Sequence, residues 1–409
     1  MLMGFFSRLF GARRRVPTPD EFATLAIEAM GKCGIPGPLE YDRGAFVVRG
    51  QGEQRYVANL ANAYREYCAA DEGSRPQVLG RFFAPFQDLG GDWTSAAPHL
   101  LPVCRNRTNF GLSLLQGALD LGGHVEAPPS ARLGEHLEIG LALDSETRIT
   151  QVMGAELEKW GVDFDTALAR ACTNLRDRSQ DPWIEPAPRL YVSPWRDHYD
   201  ASRLFLPDLI HRLRVKGDPV AVVPNRLMTI VTGSDDLPML ELMLELCRRG
   251  LTQDRPVSAI PLRLEGQRWY TWQPELDHPT LIEFAHLRLQ ELADAYAVQK
   301  QLLEKQGEAR FLATYSAALA PGEHGFSYAT WTEGVETLLP TAERIAFVRS
   351  GPDDRLEPLG LVPFEKVAEQ LKGRLTRTAH WPPRWCTTGF PTVEELTALS
   401  LLPAGPRSE

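Results

Sequence analysis

The run Ser193-Pro194-Trp195-Arg196-Asp197-His198-Tyr199-Asp200 places a histidine beside a carboxylate and an arginine, directly after a strand-like segment. Asp197 orienting His198 as a general base, with Arg196 gripping an anion, would make a hydrolytic site. A loop whose Asp200 or Ser202 merely caps the next helix explains the same residues, and that reading is preferred. The turn Pro224-Asn225-Arg226 adds Asn225 and Arg226 as binding candidates. Asp235-Asp236 at a strand end has the donor type for a divalent cation, although two acids in a helix-entry turn more often serve as a cap. Further on, Trp381-Pro382-Pro383-Arg384-Trp385 gathers aromatics and prolines, with Trp381 and Trp385 as candidates for a partner groove. The preferred alternative is a rigid loop that plugs the protein's own core.

Several chemistries lack their motifs. Thr232-Gly233-Ser234 holds one glycine and no lysine, so it is not a phosphate-binding loop. The nine histidines show neither HExxH nor HxH spacing, and no GxSxG occurs. No cofactor and no metal are expected. The six cysteines form no CxxC pair and are expected to be buried, reduced thiols of a cytosolic protein.

The elements that must carry these residues follow from periodicity. Leu137 to Leu143 alternates as a half-buried strand, a polar turn follows at Asp144-Ser145-Glu146, and Arg148 to Met153 resumes the alternation. Leu157, Trp160, Phe164, Leu168 and Ala171 then recur at near-helical spacing, with the run Asp163 to Asp165 offering a cap for a second helix start. The same strand-strand-helix order appears at Pro219 to Arg249, and again around Tyr41. Leu204 to Leu213 reads as a helix face. The proline-rich stretch from Gln180 to Pro194 reads as a connector without regular structure. Pro279 to Gln306 reads as one long helix whose polar second half projects or lies at the surface.

The expected fold class is α+β: small antiparallel or mixed sheets flanked by helices, built from strand-strand-helix units, with a C-terminal α+β extension. The expected divisions are a leader at 1–16, an N-terminal α+β region at 17–125, a central α+β domain at 126–250 and a C-terminal α+β region at 251–409.

With 409 residues, 43% of them hydrophobic, the chain can bury a sizeable core. Its 44 Lys and Arg against 53 Asp and Glu give a net charge of -9, which argues against a general nucleic-acid-binding surface. The N-terminus differs from the rest: Phe5, Phe6 and Phe10 precede Arg13, Arg14 and Arg15, a pattern suited to shallow contact with an anionic membrane surface, although a frayed leader or a short helix docking its phenylalanines on the protein's own surface is the preferred reading. The basic residues follow the apolar stretch, which is the wrong order for a secretory signal.

The run from Leu137 through Trp160 to Leu175, with Ser202 to Asp208 and Val222-Val223-Pro224-Asn225-Arg226, resembles the YtpQ-like bacterial proteins (domain of unknown function 1444) over roughly residues 18–250. The resemblance implies a cytoplasmic bacterial protein of mixed α/β structure and carries no assigned activity across. The residues themselves leave two expectations: a non-enzymatic protein-interaction or ligand-binding module, since small sheets with helices present edges and grooves and no catalytic constellation is found, or alternatively an enzyme of unrecognised type, for instance a hydrolase, using Arg196, Asp197 and His198.

Overall fold

The computed structural model describes residues 16–35, 37–51, 55–83, 91–144, 149–253, 255–275, 277–319, 324–351 and 355–402. The fold is α+β, as expected. The chain opens with helix α1 (Pro19–Lys32), started by Thr18, whose hydroxyl accepts from the Glu21 N–H at 3.2 Å while Glu21 reaches back to Thr18. Strands β1 (Leu39–Asp42), β2 (Val47–Gln51) and β3 (Arg55–Asn59) form an antiparallel sheet, followed by α2 (Ala61–Ala69) and α3 (Arg75–Phe83). Phe22, Met30, Val48 and Leu60 close a small core between them.

A second sheet is centred on β6 (Leu137–Asp144), which pairs with β4 (Leu100–Asn106), β5 (Ala131–Leu133) and β7 (Ile149–Gln151). Between β4 and β5 runs α5 (Arg107–Leu121), preceded in the chain by the short α4 (Trp93–Ala96). The helical pattern after β7 splits at Gly161 into α6 (Gly154–Trp160) and α7 (Phe164–Asp177). Asp163 caps α7 by accepting from the Thr166 N–H at 2.7 Å.

The largest sheet has six strands in the order β13-β12-β10-β11-β9-β8. These are β8 (Ile184–Ala187), β9 (Leu190–Val192), β10 (Pro219–Asn225), β11 (Met228–Gly233), β12 (Pro256–Glu265) and β13 (Arg268–Thr271). Short α8 (Pro207–Ile210) precedes β10, and α9 (Leu237–Leu251) follows β11. The run Val220-Ala221-Val222-Val223 is buried throughout because both of its faces are covered. Ala221 and Val223 join the core shared with Leu141, Leu157 and Leu204. Val220 and Val222 join Leu240, Met243 and Phe284 on the opposite side.

Three expectations change here. The proline-rich connector contains the β8–β9 hairpin: β8 is the edge strand, so Pro186 removes no N–H needed by an inner neighbour, and its register with β9 is irregular. The helix expected over Leu204–Leu213 is a 3-10 turn at Ala201–Phe205 followed by α8, because Pro207 restarts the helix. Strand pairing also crosses the expected divisions, since β4 joins β6 and β12 joins β10.

Helix α10 (Pro279–Lys305) lies against the six-stranded sheet and leads into the C-terminal unit. There β15 (Ser316–Ala318), β16 (Phe326–Thr332), β18 (Arg344–Ser350) and β19 (Leu356–Pro363) make one mixed sheet. A second is built from β14 (Phe311–Leu312), β17 (Thr337–Pro340), β20 (Leu375–Arg377) and β21 (Arg384–Thr387). Helices α11 (Phe364–Gln370) and α12 (Val393–Ala398) complete the core around Trp331 and Phe347. The polar second half of α10 does not project. Gln299 is fully buried, donating to the Pro382 carbonyl at 2.7 Å and accepting from Arg384 Nε at 2.6 Å, while Leu302 and Leu303 are buried beside it. Among the described residues no helix is long and apolar enough to cross a membrane.

Candidate functional site

A cleft of about 980 Å³ opens where the central sheets meet the C-terminal unit. Arg107 comes from the first turn of α5, Arg132 from β5, Arg268 from the start of β13, and Arg377 from the end of β20. The lining includes four arginines and a single carboxylate, Glu135. None of the four arginines forms an ion pair with a described residue. Burial lowers the pKa of the Arg107 guanidinium, and the charges of Arg132 and Arg377 lower it further, while Glu138 and Glu135 partly offset them. Arginines that outnumber the acids around them are a standing attraction for anions.

The walls are aromatic and fixed. Trp269 donates its indole N–H to the Leu204 carbonyl at 2.7 Å, which ties β13 to the 3-10 turn under the cleft. Tyr270 is exposed, and Phe205 and Trp381 complete the apolar lining. The Arg107 guanidinium lies 3.4 Å from the centroid of the Trp381 ring, which orients the charge at the cleft wall. Three contacts hold the Trp381 loop: Tyr296 donates to the Pro383 carbonyl at 2.7 Å, Gln299 to that of Pro382 at 2.7 Å, and the Thr378 N–H to that of Arg384 at 2.9 Å. The Trp381–Pro382 peptide bond is cis.

Gly111 makes the close approach of α5 to this loop feasible, because a Cβ there would lie 2.5 Å from the Trp381 carbonyl oxygen. Gly111→Ala should gain about 1 kcal/mol of helix propensity and lose more to the forced backbone shift. The expected net cost is about 1–2 kcal/mol in urea unfolding, with a changed near-UV tryptophan circular dichroism signal.

The residues singled out from sequence fall in different places. Trp381 lines the cleft; Trp385 instead donates to the Thr341 hydroxyl at 2.9 Å and packs on Phe364. The Asp197 carboxylate does not orient His198. It receives both ends of the Arg203 guanidinium, at 2.9 and 2.8 Å, and the Tyr199 N–H at 2.9 Å. Burial raises the Asp197 pKa, but Arg203 and these backbone donors outweigh it and leave the carboxyl below its ordinary value. Arg203 itself is fully buried, with Trp195 stacked on it at 3.9 Å.

Asp200 closes the loop by accepting from the Arg196 and Asp197 N–H groups at 3.1 and 3.2 Å, while Ser202 accepts from the Cys104 N–H at 2.9 Å. The Arg196 side chain is exposed. Asn225 is buried, donating to the Gly250 carbonyl at 3.0 Å and accepting from the Leu227 N–H at 2.9 Å, so it braces its own turn. Arg226 is half-buried. Asp236 pairs with Arg189 at 2.5 Å, and no group of three or more metal-type donors comes together among the described residues. Phe5, Phe6, Phe10, Arg13, Arg14 and Arg15 lie outside the described residues.

Sequence reasoning missed Arg107, Arg132, Arg268 and Arg377. They sit on four separate segments with no shared spacing, and only the tertiary fold brings them together. Comparison with family models, with curated proteins and with solved structures returned no match.

Proposed function

We propose that this chain is a non-enzymatic ligand-binding module whose cleft takes a small polyanion, a ligand with at least two phosphate or carboxylate groups and an apolar or planar body. The observation that carries this reading is the convergence of Arg107, Arg132, Arg268 and Arg377 on one cleft without an ion pair to any described residue. The anionic groups would bridge these guanidinium groups, and the body would rest on Phe205, Tyr270 and Trp381. A cytoplasmic location and kinship with YtpQ-like proteins belong to the same proposal, on the sequence resemblance stated above. The hydrolytic alternative has lost its Asp197–His198 pairing to Arg203.

Titration calorimetry of the full chain with inorganic tripolyphosphate tests this. Binding should be saturable and weaken steeply with added salt, because the contacts are charge–charge. The double variant Arg132→Gln/Arg268→Gln removes two exposed charges and should weaken binding by about 10- to 100-fold with an unchanged melting temperature. Equal affinity in the variant would overturn the assignment.

A further inference from the structure

We propose that Arg105, Arg226, Arg255 and His198 form a second anion site, separate from the cleft, that takes a single phosphate-type oxyanion. None of these residues lines the cleft.

Four segments meet here. The Arg226 N–H donates to the Arg255 carbonyl at 3.3 Å, and Asn225 faces Pro256 in register, so the β10–β11 turn lies against the start of β12. The end of β4, which carries Arg105, is joined to the same place by Asn106, donating to the Val257 carbonyl at 2.6 Å. The loop with His198 is tied to the β10–β11 hairpin by Ser193, whose N–H donates to the Thr229 carbonyl at 2.9 Å and whose hydroxyl accepts from the Thr229 N–H at 3.0 Å. The Ser202 hydroxyl, accepting from Cys104, ties the loop to β4 as well.

The charges at this junction are poorly balanced. Arg105 and Arg226 form no ion pair with a described residue, and Arg255 shares Glu66 with Arg81. The groups acting on His198 are Arg255, Arg226, Asp197 and Asp200. Of the two acids, Asp197 is neutralised by Arg203, and burial pushes the Asp200 carboxyl up. Burial first, then Arg255 and Arg226, hold the His198 imidazole below its ordinary pKa. Its buried Nδ1 has no hydrogen-bond partner.

The backbone is strained at the same place. Arg196, His198 and Arg255 have φ of 50, 70 and 59°, left-handed values uncommon for residues with side chains. In the His198 loop, the Asp200 and Asp197 carboxylates hold the conformation by accepting the N–H groups of Arg196, Asp197 and Tyr199. Such strain recurs where a loop is shaped to present groups to a ligand. An oxyanion would offer charged acceptors to Arg226 and to Arg105, whose Nη1 now donates only to the Cys104 carbonyl at 2.9 Å, and to a protonated His198, offsetting both the burial and the arginine charges that hold the imidazole below its ordinary pKa.

The test is His198 itself, followed by NMR of its ring proton in the full chain and assigned through His198→Asn. Sulfate is the probe because it keeps its charge across the titration, with chloride at matched ionic strength as the control. Saturating sulfate should raise the His198 pKa by about one unit, and by linkage sulfate should bind about tenfold more tightly to the protonated form. Arg226→Gln should abolish the shift, and the cleft variant Arg132→Gln/Arg268→Gln should retain it. A His198 titration indifferent to sulfate in the unmodified chain overturns the site, whether or not Arg226→Gln folds. A shift lost with the cleft arginines would assign the anion to the cleft and overturn it equally.

Discussion

Asp197→Ala should destabilise the protein by about 3–5 kcal/mol, because it leaves the fully buried Arg203 guanidinium without its counter-charge. Arg203 would keep only the Ser179 hydroxyl at 2.8 Å, the Arg178 carbonyl at 3.2 Å and the Trp195 ring. Those neutral acceptors cannot offset the desolvation of a full charge. The Tyr199 N–H also loses its acceptor, so the loop between β9 and the 3-10 turn should loosen as well. If Asp197 were instead a catalytic base on an exposed loop, the same substitution would leave stability within about 0.5 kcal/mol. Urea unfolding followed by tryptophan fluorescence separates the two outcomes.

The pH dependence has a definite sign. The folded Asp197 carboxyl lies below its unfolded value, so its contribution is fully present above the unfolded pKa, about 3.9, and is lost as pH falls through the folded value. The stability difference between the parent and Asp197→Ala should therefore be flat from pH 5 to 8 and shrink only below about pH 4.

Arg384 gives the second large effect. It is fully buried and forms no ion pair with a described residue, and its bonds go to Gln299 Oε1 at 2.6 Å and to the carbonyls of Ala313 and Leu338 at 3.0 Å. Burial lowers its pKa to about 10, with Tyr296 and Glu304 partly offsetting it, so the guanidinium remains charged at neutral pH and is held by these dipoles, the Tyr296 ring and the more distant Glu304 charge. Arg384→Ala should cost about 4 kcal/mol, from a cavity plus acceptors left without donors. Arg384→Met fills the volume and removes the buried charge, so its cost should fall to about 1–2 kcal/mol, the part owed to the orphaned acceptors. Differential unfolding of the two variants measures which term dominates. Equal losses would mean that packing contributes little.

Much of the scaffold was legible in the chain. Leu137 to Val152, Pro219 to Val231 and the helices after them became the expected hairpins and helices, because alternation and caps are local signals. What escaped was set by tertiary context. Helix α5 has glycines at 111 and 117 and buries only Thr108 completely, so it shows little helical periodicity. Its glycines are explained by what lies opposite, the Trp381 loop and Val125. The prolines at 186 and 188 suggested an irregular connector, and only the edge position of β8 makes a strand there permissible.

Gln299 looked like surface on a polar helix turn until Arg384 appeared beside it. The titratable run Arg196–Asp200 was visible at once, but adjacency along the chain did not reveal that Arg203 would take the carboxylate. The cleft arginines were invisible for the opposite reason. A net charge of -9 conceals a place where four arginines gather around a single lining carboxylate.

A crystal structure of the full chain grown with tripolyphosphate is the decisive measurement for an anion-binding cleft. Density for the ligand is expected between Arg107, Arg132, Arg268 and Arg377, within hydrogen-bond distance of at least two of their guanidinium groups and alongside Trp381. A ligand bound elsewhere, or a cleft empty at concentrations that saturate binding in solution, would contradict it.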